Sequence, residues 1–538
     1  MRSFIMLFVG YTSRSRSLGI TAFQVLILAI LHMQVVPEMD PPDRAHAHHK
    51  RNEPQFSLSD GLLGLFDSFP VEIISTIFLL YVCDDCWKNE ELRPGLTLGK
   101  ICKGWRQVAW STPNLWTSLI IRPQNSTSMT HVDLAREWLA RSGSLPISIE
   151  FTSRFNEGVR ADKELGQVYE EMTKLFNSCS GRWYSLSLSL PSSSLEAFPT
   201  LECSPSMLQN LSLSATCNGQ FRIPNYQRTR SFANWSPAVV EISCLNVILD
   251  WKSVLDLSLD FVDIAEVLYI FKRAPNLKKC SLKEVRDSGT DVSTIIERRP
   301  IICPVLESLI ITFIDKEAAT SFCNAVSLPA LKHLEFCGYD IDVLELSMDE
   351  LIFFLTKSSC ALQSLFIFES DFELGSLIRL APFLSSIKEL YIHYAHSFSD
   401  MDIEERGSFY HLLADQTQSI SPPAFPTDVP LLPFLEKFQW FGPAPFAWEI
   451  LPGLLEPTSH DGLRHCRPLK SVEINCDDTE ELEDAYIPKD IVLQLSVFNE
   501  VKFDFTLDFY WFGQHRIDLW KASMEEFEAQ KGEEYTSI

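Results

Sequence analysis

One short pattern constrains this chain more than any other feature. Leu-x-x-Leu-x-Leu, or a close apolar variant, recurs along most of its length. It occurs at Leu208-Leu211-Leu213, Leu277-Cys280-Leu282, Leu306-Leu309-Ile311, Leu331-Leu334-Phe336 and Leu362-Leu365-Ile367. It continues at Ile387-Leu390-Ile392, Leu435-Phe438-Trp440 and Leu469-Val472-Ile474, and a degenerate copy is expected around Leu255-Leu257-Leu259. From Leu277 to Ile387 the copies begin 25 to 31 residues apart, and the later, wider gaps imply insertions. A single match means little in a leucine-rich chain. Eight matches, most followed by helical spacing, define an array.

Within each copy the last two apolar residues alternate with polar ones, the period of a strand with one buried face. Between copies lie helical patterns: Ile264, Val267, Leu268 and Phe271 share one face. Ser347–Ser359 is another, with Ser347 and Glu350 spaced as a capping box. Strand and helix alternating at this period fit leucine-rich repeats, with a curved parallel sheet inside and helices outside. The copies lack the Asn that closes regular repeats, so an irregular solenoid is expected. One unit cannot bury its leucines alone, but stacked units share a core. A chain of 538 residues, long enough for three or four domains, is thereby expected to form one main body. The array is assigned to residues 181–520. Its terminal cap follows Pro488, where Val501–Phe512 begins by alternating. Residues 521–538 read as a charged tail, helical or disordered.

A different pattern occupies residues 60–120. Ser68 is placed to cap a helix, Pro70 lies near its first position and Glu72 falls in its first turn. Val71, Ile74, Ile77 and Phe78 recur at helical spacing. After a polar, acidic insertion, Leu96–Ser111 reads as a second helix, with Leu98, Ile101, Cys102 and Trp105 on one face. Pro113, Leu115 and Trp116 follow it. This ordered set of Pro70, Glu72, Ile73, Ile77, Phe78, Leu98, Cys102, Trp105, Arg106, Pro113, Leu115 and Trp116 resembles an F-box. It departs from that family's pattern at Phe69, where Leu is usual, and at Ile101, where Val is usual. The connector at 121–180 contains Arg136–Phe151 and leads to Gly181–Pro191. Both segments resemble the region after the F-box in large families of mushroom-forming fungi. There Gly143 would stop a helix and Pro146 start a strand carrying Ile147 and Ile149 inward. The fold class is therefore expected to be α/β, a small all-α helical module followed by the repeat array.

Residues 1–59 read as an apolar leader and a linker. Leu18–Val36 is mostly apolar and follows Arg14 and Arg16, as in a signal anchor or signal peptide. The alternative is an extension ahead of a true start near Met33 or Met39. The 14 cysteines form no tight framework, and many sit in apolar segments, so a reduced compartment, cytoplasmic or nuclear, is expected. Cys83 and Cys86 make one Cys-x-x-Cys without a second pair, too few ligands for a structural zinc site. The net charge of −25 argues against nucleic acid, whose phosphates require a basic face. No serine-hydrolase, zincin, Walker or dinucleotide motif is present, and the acidic run Asp477–Asp484 lacks a calcium loop's spacing. No cofactor and no enzymatic activity of its own is expected.

The resemblance implies a substrate-recruiting adaptor. An F-box docks on Skp1, and through it on a cullin, in a ubiquitin ligase whose chemistry belongs to other subunits. The expected Skp1 contacts are Phe69, Pro70, Val71, Ile74, Leu98, Cys102 and Trp105, each with a core role in the module as its alternative. A protein cargo is expected on the strand positions between the leucines: Ser308, Ile310, Lys332, Glu335, Gln363, Phe366, Lys388, Glu389, Tyr391 and His393. The competing reading is a non-catalytic repeat scaffold acting outside a ligase. A membrane-tethered version requires 18–36 to be a true anchor.

Overall fold

The computed structural model describes residues 69–82, 94–123, 127–153, 163–195, 198, 205–215, 230–289, 300–338, 348–368, 379–380, 383–393, 432–444, 446–455, 458–460, 463–465, 467–477, 485–509 and 515–536. Residues 18–36, Ser68, Cys83, Cys86, Ser347 and 478–484 lie outside this set.

The first described element is a helix. Helix α1 (Val71–Val82) begins directly after Pro70, whose carbonyl accepts from the amides of Ile73 and Ile74 at 3.0 and 3.2 Å. Proline suits this position because it lacks only an N–H that the first turn leaves unpaired anyway. The segment expected as one second helix is two, α2 (Pro94–Ile101) and α3 (Lys103–Trp110). Cys102 separates them. Its backbone is extended, with φ −154°, and its Sγ accepts from the Trp105 amide at 3.3 Å, so the thiol serves as a helix N-cap. Arg106 Nε donates to the Gly99 carbonyl at 2.7 Å and ties the two helices together. Ile74, Phe78, Leu98, Trp105, Leu115 and Trp116 are buried, with the Phe78 and Trp105 rings 5.0 Å apart. Trp116 packs so close to Gly95 that an added β-carbon would lie 3.0 Å from its ring.

The rest of the described chain is organised on one sheet. Its strands are β1 (Ser118–Ile121), β2 (Ile147–Thr152), β3 (Trp183–Leu190), β4 (Asn210–Ala215) and β5 (Val239–Ser243). Then come β6 (Asp256–Asp263), β7 (Lys279–Arg286), β8 (Ser308–Phe313), β9 (His333–Gly338) and β10 (Ser364–Phe368). The last are β11 (Glu389–His393), β12 (Lys437–Pro443), β13 (Ser471–Asp477), β14 (Lys502–Phe509) and β15 (His515–Asp518). Among the described residues they lie side by side in chain order, each parallel to the last, except β15, which turns back antiparallel on β14. The molecule is thus α/β, with a large, mostly parallel sheet that is open and not closed into a barrel.

The array extends further toward the amino terminus than its motif. Leu119, Ile149, Leu186, Leu211, Val240 and Leu257 are direct cross-strand partners, so the sheet starts at Ser118 rather than near 181. The layer continues through Cys280, Leu309, Leu334, Leu365, Leu390, Phe438 and Val472, all buried. The copy expected at Leu255 uses Val254 as its buried leading residue, while Leu255 is turned outward. Ahead of the strands, the corner residues form their own ladder. The amides of Lys332, Gln363, Lys388, Glu436 and Lys470 donate to the carbonyls of Glu307, Lys332, Gln363, Lys388 and Glu436 at 2.7–2.9 Å. β6 and β7 each carry one residue with positive φ, Phe261 and Glu284, at the same level. Because both strands bulge together, Val262 and Val285 pair again beyond them.

Helices cover the leucine side. α6 (Ile264–Phe271), α7 (Lys316–Ala325) and α8 (Met348–Ser358) follow β6, β8 and β9. Phe322 on α7 is their hub, with ring centroids 5.8–6.0 Å from Phe271, Phe313 and Phe354. Burial pushes the thiols of Cys303 and Cys323 up to about 12, so they pack as small protonated apolar groups. At the amino-terminal end, α4 (Met129–Arg141) joins the helical module to the sheet. The Arg141 guanidinium lies 4.5 and 4.7 Å from the Trp110 and Trp116 rings, and Trp116 meets Trp138 edge-on at 4.6 Å. Gly143 ends this helix in the left-handed region, with φ +58°, as its position predicts.

The opposite end is also closed. Residues after 520, expected as a tail, continue a helix that starts one step earlier, α11 (Leu519–Thr536). Trp520 stacks on Phe503 and Phe505, and buried Ser523 Oγ accepts from the Ile487 amide at 2.9 Å. The first turn is therefore part of the cap.

One carboxylate works against this packing. Asp263 caps α6, its Oδ1 accepting from the Ala265 amide at 2.8 Å. Glu266, one turn on, is pushed up to about 7 by burial and then by the Asp263 charge. Between the unfolded value near 4.5 and about 7, the folded state keeps a proton that the unfolded state has released. Stability therefore falls as pH rises through that window. Glu266→Gln is expected to raise stability at pH 8 by about 3 kcal/mol and to change it little at pH 4, as read by denaturant titration at both pH values.

Candidate functional site

Two surfaces carry the expected binding residues. The first is α1. Ile74, Leu98 and Trp105 are 6, 0 and 1% exposed, so they form the module's core and cannot meet a partner while it stays folded. Phe69 is half-buried against that core, and Cys102 is the helix cap already described. Of the expected contacts, Pro70 and Val71 are exposed. Ile73, a member of the F-box-like set but not one of the expected contacts, and Leu80, outside that set, are 47 and 52% exposed. With half-buried Ile77 they stand at i, i+4 and i+7, the spacing of one helix face. The legible signal was the surplus of apolar residues on α1, more than a single inward stripe uses.

The second surface is the sheet face turned away from the leucines. Successive side chains on a strand point to opposite faces, so the residues between the buried ones all face the same way. Register brings the expected residues together. Ile310, Glu335, Phe366 and Tyr391 are direct partners on β8 to β11, followed by Gln439, Glu473 and Asp504 on β12 to β14. One level earlier, Ser308, His333, Ser364 and Glu389 are aligned in the same way. Lys332, Gln363 and Lys388 belong to the corner ladder at the rim and are exposed.

An aromatic run crosses this face. His333 and Phe366 rings are 5.1 Å apart, Phe366 stacks on Tyr391 at 5.8 Å, and Phe368 lies 4.6 Å from Tyr391. His393 meets Phe368 at 6.3 Å and Phe441 edge-on at 4.2 Å. All of these rings are half-buried. Phe368 and Phe441, two members of the run, lie outside the Leu-x-x-Leu-x-Leu pattern and were not anticipated. The signal available was the alternation continuing past the motif's last leucine.

Charges are segregated across the face. At the rim, Lys332 pairs with Glu307 at 3.1 Å, while Lys388 at 4.0 Å and Lys470 both approach Glu436. The Lys470 ammonium holds the Glu436 carboxyl below its usual value. Inside the rim, Glu473 accepts a hydrogen bond from Gln439 Nε2, and Ser364 Oγ contacts Glu389 at 3.2 Å. Further along, Arg516 and Lys502 lie 3.7 and 4.0 Å from Asp504.

Among the described residues, no group of three or more His, Cys, Asp and Glu side chains could hold a metal ion. No described helix is long and apolar enough to cross a membrane. These surfaces present apolar side chains on α1, and aromatic and carboxylate groups on the sheet. No family model matches the chain, and no curated protein matches it.

The division of α1 into core and surface has a direct check. Trp105→Ala is expected to cost about 3–5 kcal/mol of module stability, the range for truncating a buried aromatic. Ile73→Ala is expected to cost less than about 0.5 kcal/mol, the range for surface sites. Thermal and denaturant melts of the two variants distinguish these effects.

Proposed function

We propose that this chain is a substrate-recruiting adaptor of a Skp1–cullin–F-box ubiquitin ligase. In this reading residues 60–120 form the F-box, and the parallel sheet with its helices is an irregular leucine-rich-repeat solenoid that presents cargo. The observation that carries the reading is the exposed apolar face of α1, Ile73 and Leu80 with Ile77 between them, on a module whose own core is already filled. A helix with an unused apolar stripe is suited to docking in a partner's groove, and its large aliphatic side chains supply the anchors. The ordered F-box-like residues around it give the partner's name. The ligase chemistry belongs to other subunits, so the chain itself needs no nucleophile. A scaffold acting outside a ligase would use the same sheet face and make no use of the α1 stripe.

Co-expression with Skp1 and pull-down test this. The wild type is expected to retain Skp1, while Ile73→Asp/Leu80→Asp loses it with an unchanged melting temperature. Skp1 absent from a well-folded wild type, or retained by the double variant, overturns the reading and leaves the scaffold.

A further inference from the structure

We infer that the sheet face turned away from the leucines takes a basic, extended peptide segment, with Lys or Arg side chains lying over the aromatic run between Glu335 and Glu473. This rests on reading that face as the cargo surface and specifies what the cargo presents there.

Three features point to that occupant. First, Glu335, Phe366, Tyr391, Gln439 and Glu473 form one in-register row across β9 to β13. A carboxylate therefore stands at each end of an aromatic and amide centre. Second, the neighbouring row holds Cys337, Phe368, His393, Phe441 and Asn475. From β8 to β14 neither row contains a Lys or Arg among the described residues. The lysines of this region stand at the strand starts and rim, where Lys332, Lys388 and Lys470 lie beside Glu307 and Glu436. Third, the whole chain carries a net charge of −25, which steers basic partners toward it and repels acidic ones.

Each part of the row contributes to recognition. Ring faces are electron-rich and attract ammonium and guanidinium groups, more strongly where water is partly excluded. A carboxylate beside the ring adds a charge-assisted hydrogen bond to the same cation. An acidic segment would meet Glu335 and Glu473 without compensation. A purely apolar one would leave both carboxylates to be desolvated without a partner. Spacing sets the length of the segment. Strands lie about 4.8 Å apart, so four steps from Glu335 to Glu473 span roughly 19 Å. At about 3.3 Å per extended residue, that is about six residues between the two cations.

A displayed library of random twelve-residue peptides, panned on the full-length chain, tests the inference. Selected peptides are expected to be enriched in pairs of Lys or Arg about six residues apart. Labelled copies should bind about tenfold more weakly to Glu335→Gln/Glu473→Gln, and binding should weaken with added salt. Gln439→Lys, which places a cation at the row's centre, should abolish selection; melts of each variant establish that it is folded. Enrichment of acidic or uncharged peptides, no enrichment at all, or unchanged selection by folded variants overturns the inference. Skp1 capture by the same preparations separates the two claims. Skp1 bound without basic selection sinks only the inference, and basic selection without Skp1 sinks only the ligase reading.

Discussion

The structure depends on a shared burial that no single turn can achieve. Most strands contribute two or three apolar side chains to one face, and a lone strand with its corner would leave them in water. Stacked in register, Leu277, Leu306, Leu331, Leu362 and Ile387 are each 0% exposed. Full burial of one such side chain contributes about 1.5–3 kcal/mol, and that gain exists only when neighbours supply the other walls. Backbone pairing enforces the same condition, because parallel strands satisfy their N–H and C=O groups only against the adjacent copies. The corner ladder extends it beyond the strands, from Glu307 through Lys470. Stability is therefore a nearest-neighbour property, and every copy depends on the copies on either side.

A stack held this way has two vulnerable ends, and the two are closed by different chemistry. At the amino-terminal end a helical module is joined through Arg141, whose guanidinium lies against Trp110 and Trp116, and through the Trp116–Trp138 edge contact. At the carboxy-terminal end the chain reverses into β15, and Trp520 lies across Phe503 and Phe505. An antiparallel strand and a covering helix protect the last parallel edge from pairing with another chain. Both closures use large aromatic side chains, which cover the most apolar area per ordered residue.

The same geometry divides the work. Alternation commits half of each strand to the core and leaves the other half on a single continuous face. The described helices lie on the covered side and leave the row from Ile310 to Asp504 in register. Function is proposed to lie on the two surfaces that the fold does not use for itself, the α1 stripe and the sheet face turned away from the leucines. Their separation at opposite kinds of element, a helix and a sheet, lets one be altered while the other stays intact.

Much of the fold was legible because its period is local. The spacing of Leu331, Leu334 and Phe336 specifies a strand, its buried face and its place in a series. Gly143 and Pro70 mark helix boundaries for equally local reasons, a left-handed residue and a missing N–H. The sequence was less informative where burial depends on distant partners. Ile73 and Ile74 are adjacent and chemically alike, yet one is exposed and the other buried, and only the positions of Trp105 and Leu98 decide which. Cys102 reads as one more apolar residue on a helix face, and the break it makes depends on an amide–thiol contact. Leu119 carries too short a pattern to announce a strand; the strand of Ile147 and Ile149 was legible, but its place in the main sheet is set by pairing with Leu119 and Leu186. The sequence by itself determined the repeat, the alternation and the helix after Pro70, since each follows from side chains a few residues apart. The tertiary structure decided which apolar residues remain at the surface, where the sheet begins and which polar side chains share a row. Those outcomes depend on contacts between segments tens of residues apart in the chain.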